Sequence, residues 1–592
     1  MAQNLIKIYE ASFRNNFALP ALTDYVTGKT ITYGDFAKKI ARIHLLFDGI
    51  GVKPGDKIVL LGKNTPEWVA VFMATLTFGA VIVPVLDAFN PRDAQHIINH
   101  SDAVLLFVSE SIYEHLEFDE MPKIRAVFSL DRHAVLAERM TVVKADDTGK
   151  DNTGAFDIDT VVNGPEQRLK RKSKSGRAST VMTALRSITR RFNKQYPKGF
   201  GPLDVLYPET GAEELAVINY TSGTTGFSKG VMLTHNNLLG NVVFGIDSKL
   251  HYKGSRALSF LPLAHAYGCA FDMLVPLAVG SHITLLGKTP TPRILVKAMS
   301  EVKPSLIICV PLILEKIYKN MIVPMITKAP LSWALAVPGL DMAIYSRIKS
   351  RLVEAFGGEF EEVIVGGAPL NGEVEAFLKK IHFPFTVGYG MTECGPLISY
   401  TPWREFILDS SGHTLRGIMT AKIQHADGSQ PDCPGEICVK GQNVMKGYYK
   451  NPEATEAVLD PDGWLHTGDM GNLGGPDGQT IFIRGRYKTM ILSANGQNIY
   501  PEEIEAKLNN MPYVGESLVV DRGGHLVALV YPDTELADRN GISITEVAKL
   551  METTRSELNK LLAPYEKIER IQLVPQEFEK TPKRSIKRYL YS

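Results

Sequence analysis

KIVLLGKNTPEWVAVFMATLTFGAVIVPVL, residues 57–86, is the stretch on which the fold turns. Lys57–Leu61 is a short apolar run with β-branched residues, closed by Gly62, and reads as a buried strand. From Trp68 to Leu86 no charge occurs, and the run approaches the ~20 residues that a helix needs to span a bilayer. Gly79 and Pro84 interrupt it, and Thr75 and Thr77 dilute it. The reading is therefore a buried helix from Pro66 to about Phe78, followed by a buried strand from Ala80. Upstream, Thr32 and Asp35 resemble a capping box. Phe36, Ile40, Ile43 and Phe47 then recur at helical spacing as one apolar stripe. Downstream, a helix is expected over about Pro91–Asn99 and a strand over Ala103–Val108. This alternation predicts an α/β protein with a mainly parallel sheet and helices on its faces.

The bulk numbers agree with a large globular chain. It has 592 residues, 44% hydrophobic and 22% charged, so two or more domains are expected. A formal charge of +1 gives no global field that would point to nucleic acid. The five cysteines, Cys269, Cys309, Cys394, Cys433 and Cys438, have neither zinc-finger spacing nor a disulfide framework. A reducing, cytoplasmic compartment fits them best. The N-terminus, MAQNLIKIYEASFRNN, lacks the long apolar core of a secretory signal.

Two stretches change texture. Residues 164–200 hold eleven Lys or Arg against one acid, Glu166. They read as a solvated surface insertion. A sharper reading is a patch for an acidic carrier protein or for anionic lipid, with peripheral contact at the inner face of the membrane. From about residue 481 a short strand, IFIRGR, leads to a helix start at Tyr500-Pro501-Glu502-Glu503. The rest reads as a small α+β unit, which puts a domain boundary near Gly485–Lys488. No internal repeat is evident.

The segment richest in chemistry is Tyr220-Thr-Ser-Gly-Thr-Thr-Gly-Phe-Ser-Lys-Gly230, after the apolar strand Leu215–Ile218. Gly223, Gly226 and Gly230 let the backbone turn N–H groups toward an anion. Thr221, Ser222, Thr224, Thr225 and Ser228 add hydroxyls, and Lys229 adds a positive charge. That is a polyphosphate loop, with spacing unlike the Walker pattern. The segment resembles the phosphate loop of the adenylate-forming superfamily, and within it the chain most resembles medium- and long-chain fatty acyl-CoA synthetases. The resemblance runs from about Thr32 to the C-terminus, interrupted at 164–200. It implies a large N-terminal domain, 1–485, with mainly parallel sheets plus a β-rich subdomain. It also implies a small mobile C-terminal domain, 486–592.

The other motifs follow in the superfamily's order. In Phe260-Leu-Pro-Leu-Ala-His-Ala-Tyr-Gly268, His265 resembles a gatekeeper between the ATP side and the acyl pocket. In Val365-Gly-Gly-Ala-Pro-Leu370, Gly367 and Ala368 resemble the strand end that borders adenine. In Val387-Gly-Tyr-Gly-Met-Thr-Glu-Cys394 the resemblance gives Tyr389 to adenine stacking, Thr392 to the α-phosphate and Glu393 to Mg²⁺. These residue types suit a flat base, an oxyanion and a hard cation. Asp469, in Trp464-Leu-His-Thr-Gly-Asp469, suits both ribose hydroxyls, with Arg486 as its partner. Lys488 falls at the hinge position, and Ser493–Glu503 resembles the loop that lines the pantetheine tunnel.

One departure stands out. The superfamily ends on a lysine that bridges the acyl carboxylate and phosphate, in a pattern like T-P-x-x-K-I. Here Thr581-Pro-Lys-Arg-Ser-Ile-Lys-Arg588 puts Ser585 at that place. On an extended segment Lys583 and Lys587 share its face, about 6.6 Å away, and Lys583 is the favoured substitute. Thr489, where an acid is common, is a smaller departure. The expected activity is an ATP-dependent fatty acid–CoA ligase that uses ATP, Mg²⁺ and CoA, through an acyl-adenylate. An acyl-carrier-protein or aryl acid ligase stays open, and Ser585 keeps open a non-catalytic acyl or nucleotide binder.

Overall fold

The computed structural model describes residues 4–132, 134–139, 180–221, 228–327, 340–425, 433–492, 498–581 and 586–591. The opening stretch folds as its sequence suggests. Thr65 Oγ1 accepts from Trp68 N and caps the helix Pro66–Phe78, with Pro66 in its first turn. Gly79 ends that helix at φ +82°, a left-handed conformation cheap for glycine. The chain then enters the strand Val81–Val85, whose five residues are all buried. Thr32 and Asp35 form the reciprocal capping box of Tyr33–Gly49. Among the described residues, no helix is long and apolar enough to cross a membrane.

Val81–Val85 pairs in parallel with Lys57–Leu61, which pairs in parallel with Ala103–Val108. They form the middle of an eight-stranded sheet. On one side the sheet runs through Leu215–Thr221 and Lys229–Thr234 to Gly447–Tyr448. The hairpin of Leu215–Thr221 with Lys229–Thr234 is antiparallel, so the phosphate-loop segment joins two strands of opposite direction. A second, seven-stranded sheet has a parallel centre of Glu362–Val365, Leu306–Cys309, Arg256–Ser259 and His282–Leu285. A third sheet, also of seven strands, is antiparallel and spans Tyr389 to Arg486. One buried apolar cluster reaches from Leu5 to Ile481, with Trp68 fully enclosed. Residues 499–568 hold a separate cluster, and a third lies between Leu518 and Phe578. Their frame is a three-stranded sheet with the helix Ile544–Lys560 beside its edge strand Arg570–Leu573.

One expectation is corrected in part. Residues 180–195 are not a solvated surface stretch but a helix packed on Tyr33–Gly49. Val181, Ala184, Leu185, Ile188 and Phe192 are buried along one face. This is the i, i+3, i+4 pattern of a docked amphipathic helix. The Arg191 guanidinium donates to Leu45 O at 2.7 Å, and that of Arg42 sits 4.6 Å above the Phe192 ring. Four basic side chains, Arg186, Arg190, Lys194 and Lys198, remain exposed here. The basic run of 168–177 lies outside the described residues.

Candidate active site

Short polar bonds tie the motifs of the three large sheets together. Asn219, on the strand before the phosphate loop, donates through Nδ2 to Ala264 O at 3.2 Å. That fixes the loop of His265, whose Nδ1 accepts from Tyr267 N at 3.3 Å and caps the short helix Ala266–Gly268. Tyr267 in turn donates to Ile364 O at 3.1 Å. Its ring would lie 3.0 Å from a Cβ on Gly366, so a larger residue there would have to push the Tyr267 ring aside. Gly367 follows at φ +86°, and it and Ala368 are exposed at the strand end. Gly388 N donates to Val365 O at 2.9 Å, setting Tyr389 beside the same edge.

The antiparallel sheet supplies a polar triangle. Tyr389 donates its hydroxyl to Asp469 Oδ2 at 2.6 Å. Arg486 Nε lies 2.7 Å from Asp469 Oδ1, and the two residues are register partners across the strand pair. Asp469 is 4% exposed. Burial pushes its carboxyl above the usual range, with Arg486 acting in the opposite direction. Tyr389 is buried and its hydroxyl is held protonated by that burial and by the Asp469 charge.

A second polar group faces the phosphate-loop hairpin. Tyr448 donates to Glu393 Oε1 at 2.9 Å. Lys229 Nζ sits 4.7 Å over the Tyr448 ring. Thr392 is buried, in the one-turn helix Thr392–Cys394. Thr221 pairs in register with Lys229 at the mouth of the hairpin. Among the described residues, Tyr448 is the hydrogen-bond partner of the Glu393 carboxylate, so one oxygen remains to meet a hard cation. This half-buried carboxylate, linked through Tyr448 to Lys229, fits a hard cation such as Mg²⁺.

Not every expected residue can be followed. Ser222, Gly223, Thr224, Thr225, Gly226, Lys583 and Ser585 lie outside the described residues. Lys587 Nζ lies 3.3 Å from Glu579, so this candidate substitute lysine is already paired. Lys488 is exposed. Next to it Thr489 donates to Glu502 at 2.7 Å, holding the chain turn to the first turn of Pro501–Leu508. Tyr448, Asn219 and Tyr267 escaped the sequence reading, although Gly447-Tyr-Tyr449 did offer an aromatic pair after a glycine.

Lys229 at the foot of a hairpin, an aromatic–carboxylate–guanidinium triangle and the Glu393 carboxylate come together where the sheets join. That arrangement defines a nucleotide-using enzyme of the adenylate-forming kind. The family model for AMP-binding enzymes matches residues 10–449, and the chain belongs to that family. It is an acid–thiol ligase of the AMP-forming class. It is similar to the peroxisomal long chain acyl-CoA synthetase 7 of Arabidopsis thaliana, 29% identical over 93% of this chain and 77% of that protein. It is similar as well to the 4-coumarate–CoA ligase CCL1 of Humulus lupulus, at 27% identity over 96% and 90% of the two chains. The fold matches the crystal structure of the anthranilate CoA ligase AuaEII with anthranoyl-AMP, at TM-score 0.73 and 18% identity. That match covers 99% of this chain and 96% of the other.

Proposed function

We propose that the protein is a fatty acid–CoA ligase. The observation that carries the nucleotide half of this reading is the Tyr389–Asp469–Arg486 triangle, a carboxylate held between a ring and a cation. Asp469 accepts from the ribose hydroxyls, and Tyr389 offers its face to adenine. Lys229 and the phosphate-loop N–H groups hold the triphosphate, and Thr392 donates to the α-phosphate. Mg²⁺, held at Glu393, supplies charge neutralisation for the phosphoryl oxygens when bound. The acid's carboxylate attacks the α-phosphorus and pyrophosphate leaves; CoA thiolate then attacks the acyl carbonyl and AMP leaves. No general base is needed for the first step, because the attacking carboxylate is already an anion. Catalysis is mostly positioning and electrostatic stabilisation.

The long-chain synthetases among the relatives support a fatty acid, and His265 before the buried Tyr267 suits a gate to the acyl pocket. The chain divides at 485/486, a reading supported by the separate apolar cluster of residues 499–568, with Lys488 as the hinge. Lys583 takes the place of the missing terminal lysine. A second reading, an aryl acid ligase, is favoured by the 4-coumarate ligase among the relatives.

The test is pyrophosphate release with ATP, Mg²⁺ and CoA against fatty acids from acetate to oleate, with 4-coumarate and benzoate alongside. Release that needs both a fatty acid and CoA bears the proposal out. Release only with the aromatic acids moves the assignment to the second reading. Nucleotide binding without release on any acid would indicate a binder that cannot adenylate.

A further inference from the structure

The nucleotide reading leaves one polar cluster without a role: Glu436, Cys438 and His466, whose donor atoms lie within 4.8 Å of one another. They sit on the strand pair that carries Asp469. There Glu436 stands opposite Met470, and Cys438 opposite His466. Ile437 therefore faces three residues, Thr467, Gly468 and Asp469. Such a bulge bends the strand and re-aims a side chain. Gly468 takes φ +70°, which glycine adopts without strain.

Bulged backbone loses ladder partners and must find others. Glu436 supplies one, because its Oε1 accepts from Gly468 N at 3.0 Å. Its Oε2 lies 2.8 Å from His466 Nδ1, and a carboxylate only accepts, so Nδ1 carries the proton. On the other side Thr467 donates to Ile437 O at 2.7 Å and accepts from Asp469 N at 3.1 Å. The bulge is thus tied down twice, immediately before the carboxylate that meets Tyr389 and Arg486. Cys438 is buried, and burial together with the Glu436 charge pushes its thiol up to about 12. It packs as a neutral group, and the trio is a hydrogen-bonded brace rather than a set of anionic ligands.

We infer that Glu436 is a positioning residue for the nucleotide: it holds the bulge that aims Asp469 at the ribose, with His466 as its support. The inference rests on the proposed ribose role of Asp469. It requires that loss of Glu436 blunt ribose recognition more than recognition of the acid.

The experiment compares wild type, Glu436→Ala and Glu436→Gln. KM is measured for ATP, 2′-deoxy-ATP, 3′-deoxy-ATP and the acid, and AMP binding is followed by calorimetry. Wild type is expected to prefer ATP over both deoxy analogues. Glu436→Ala should weaken ATP and AMP by about tenfold, the scale of loss for a group that orients a contact residue. It should also bring the deoxy-to-ribo KM ratios toward one and leave the acid KM within about twofold. Glu436→Gln still accepts from Gly468 N, and should return the ratios to near wild type. An unchanged ratio in folded Glu436→Ala overturns the inference. If that variant does not fold, His466→Ala serves, and an unchanged ratio there overturns it equally. Wild type that binds neither ATP nor AMP overturns the nucleotide reading itself, and the inference with it.

Discussion

Tyr448 joins two motifs that lie far apart in sequence, since its ring carries Lys229 and its hydroxyl meets Glu393. Tyr448→Phe keeps the ring and removes one hydrogen bond to a charged group, a contact worth about 1.5–3 kcal/mol. The expected outcome is a tenfold or greater fall in kcat/KM, with the Mg²⁺ dependence shifted to higher concentration and the melting temperature almost unmoved. Mg²⁺ titrations of the two enzymes decide it, and parallel curves would remove Tyr448 from this role. At the other end of the chain, Lys583→Ala should slow acyl-adenylate formation at least a hundredfold, while Lys587→Ala, already paired with Glu579, should change it little. Single-turnover adenylation separates the two, and equal effects would refute the choice of Lys583. The sequence announces Asp469 and Arg486 because their motif is local and dense in unusual residues. It hides Tyr448 and Glu436, whose importance comes only from strand register. Two residues 55 apart, Glu393 and Tyr448, carry no shared signal until the sheets bring them together.

The helix Thr180–Gln195 illustrates what periodicity can and cannot give. A stripe of Val181, Ala184, Leu185, Ile188 and Phe192 is visible in the sequence, but the arginines around it suggest a solvated stretch. Docking against Tyr33–Gly49 resolves the conflict, because the basic heads point outward and Arg191 and Arg42 meet a carbonyl and a ring. Leu185 is 1% exposed, so Leu185→Ala should cost about 2–4 kcal/mol. Urea unfolding measures it, and a loss under about 0.5 kcal/mol would mean that the helix does not pack as described. The run of residues 57–86 was more transparent. Its caps, Thr65 and Gly79, are residue types that act alone, so strand and helix limits follow from local chemistry. The third sheet was less so, since its pairings, such as His413–Thr414 with Thr480, cross long sequence distances.

Over the whole molecule, buried histidines weaken the fold as pH falls. His235 and His251 are nearly inaccessible, and burial lowers both to about 4, against ~6.5 when unfolded. Between those values the unfolded chain takes a proton that the folded chain refuses. Their contribution is therefore complete above about pH 6.5 and is lost as pH falls through 4, by roughly 3 kcal/mol for each. Denaturation midpoints recorded from pH 7 to 4 should fall, and His251→Gln should flatten the slope; an identical slope would exclude His251 as a cause. The Arg486–Asp469 pair has a further consequence at this scale. Arg486 stands two residues before the proposed hinge at Lys488, and it is the last member of the nucleotide triangle before the chain passes to the C-terminal cluster. A ribose that takes Asp469 would share that carboxylate with Arg486, at the strand end that precedes the proposed hinge. On the proposed hinge, a nucleotide that draws Asp469 away from Arg486 would act as a clutch, loosening the strand end from which the C-terminal unit turns.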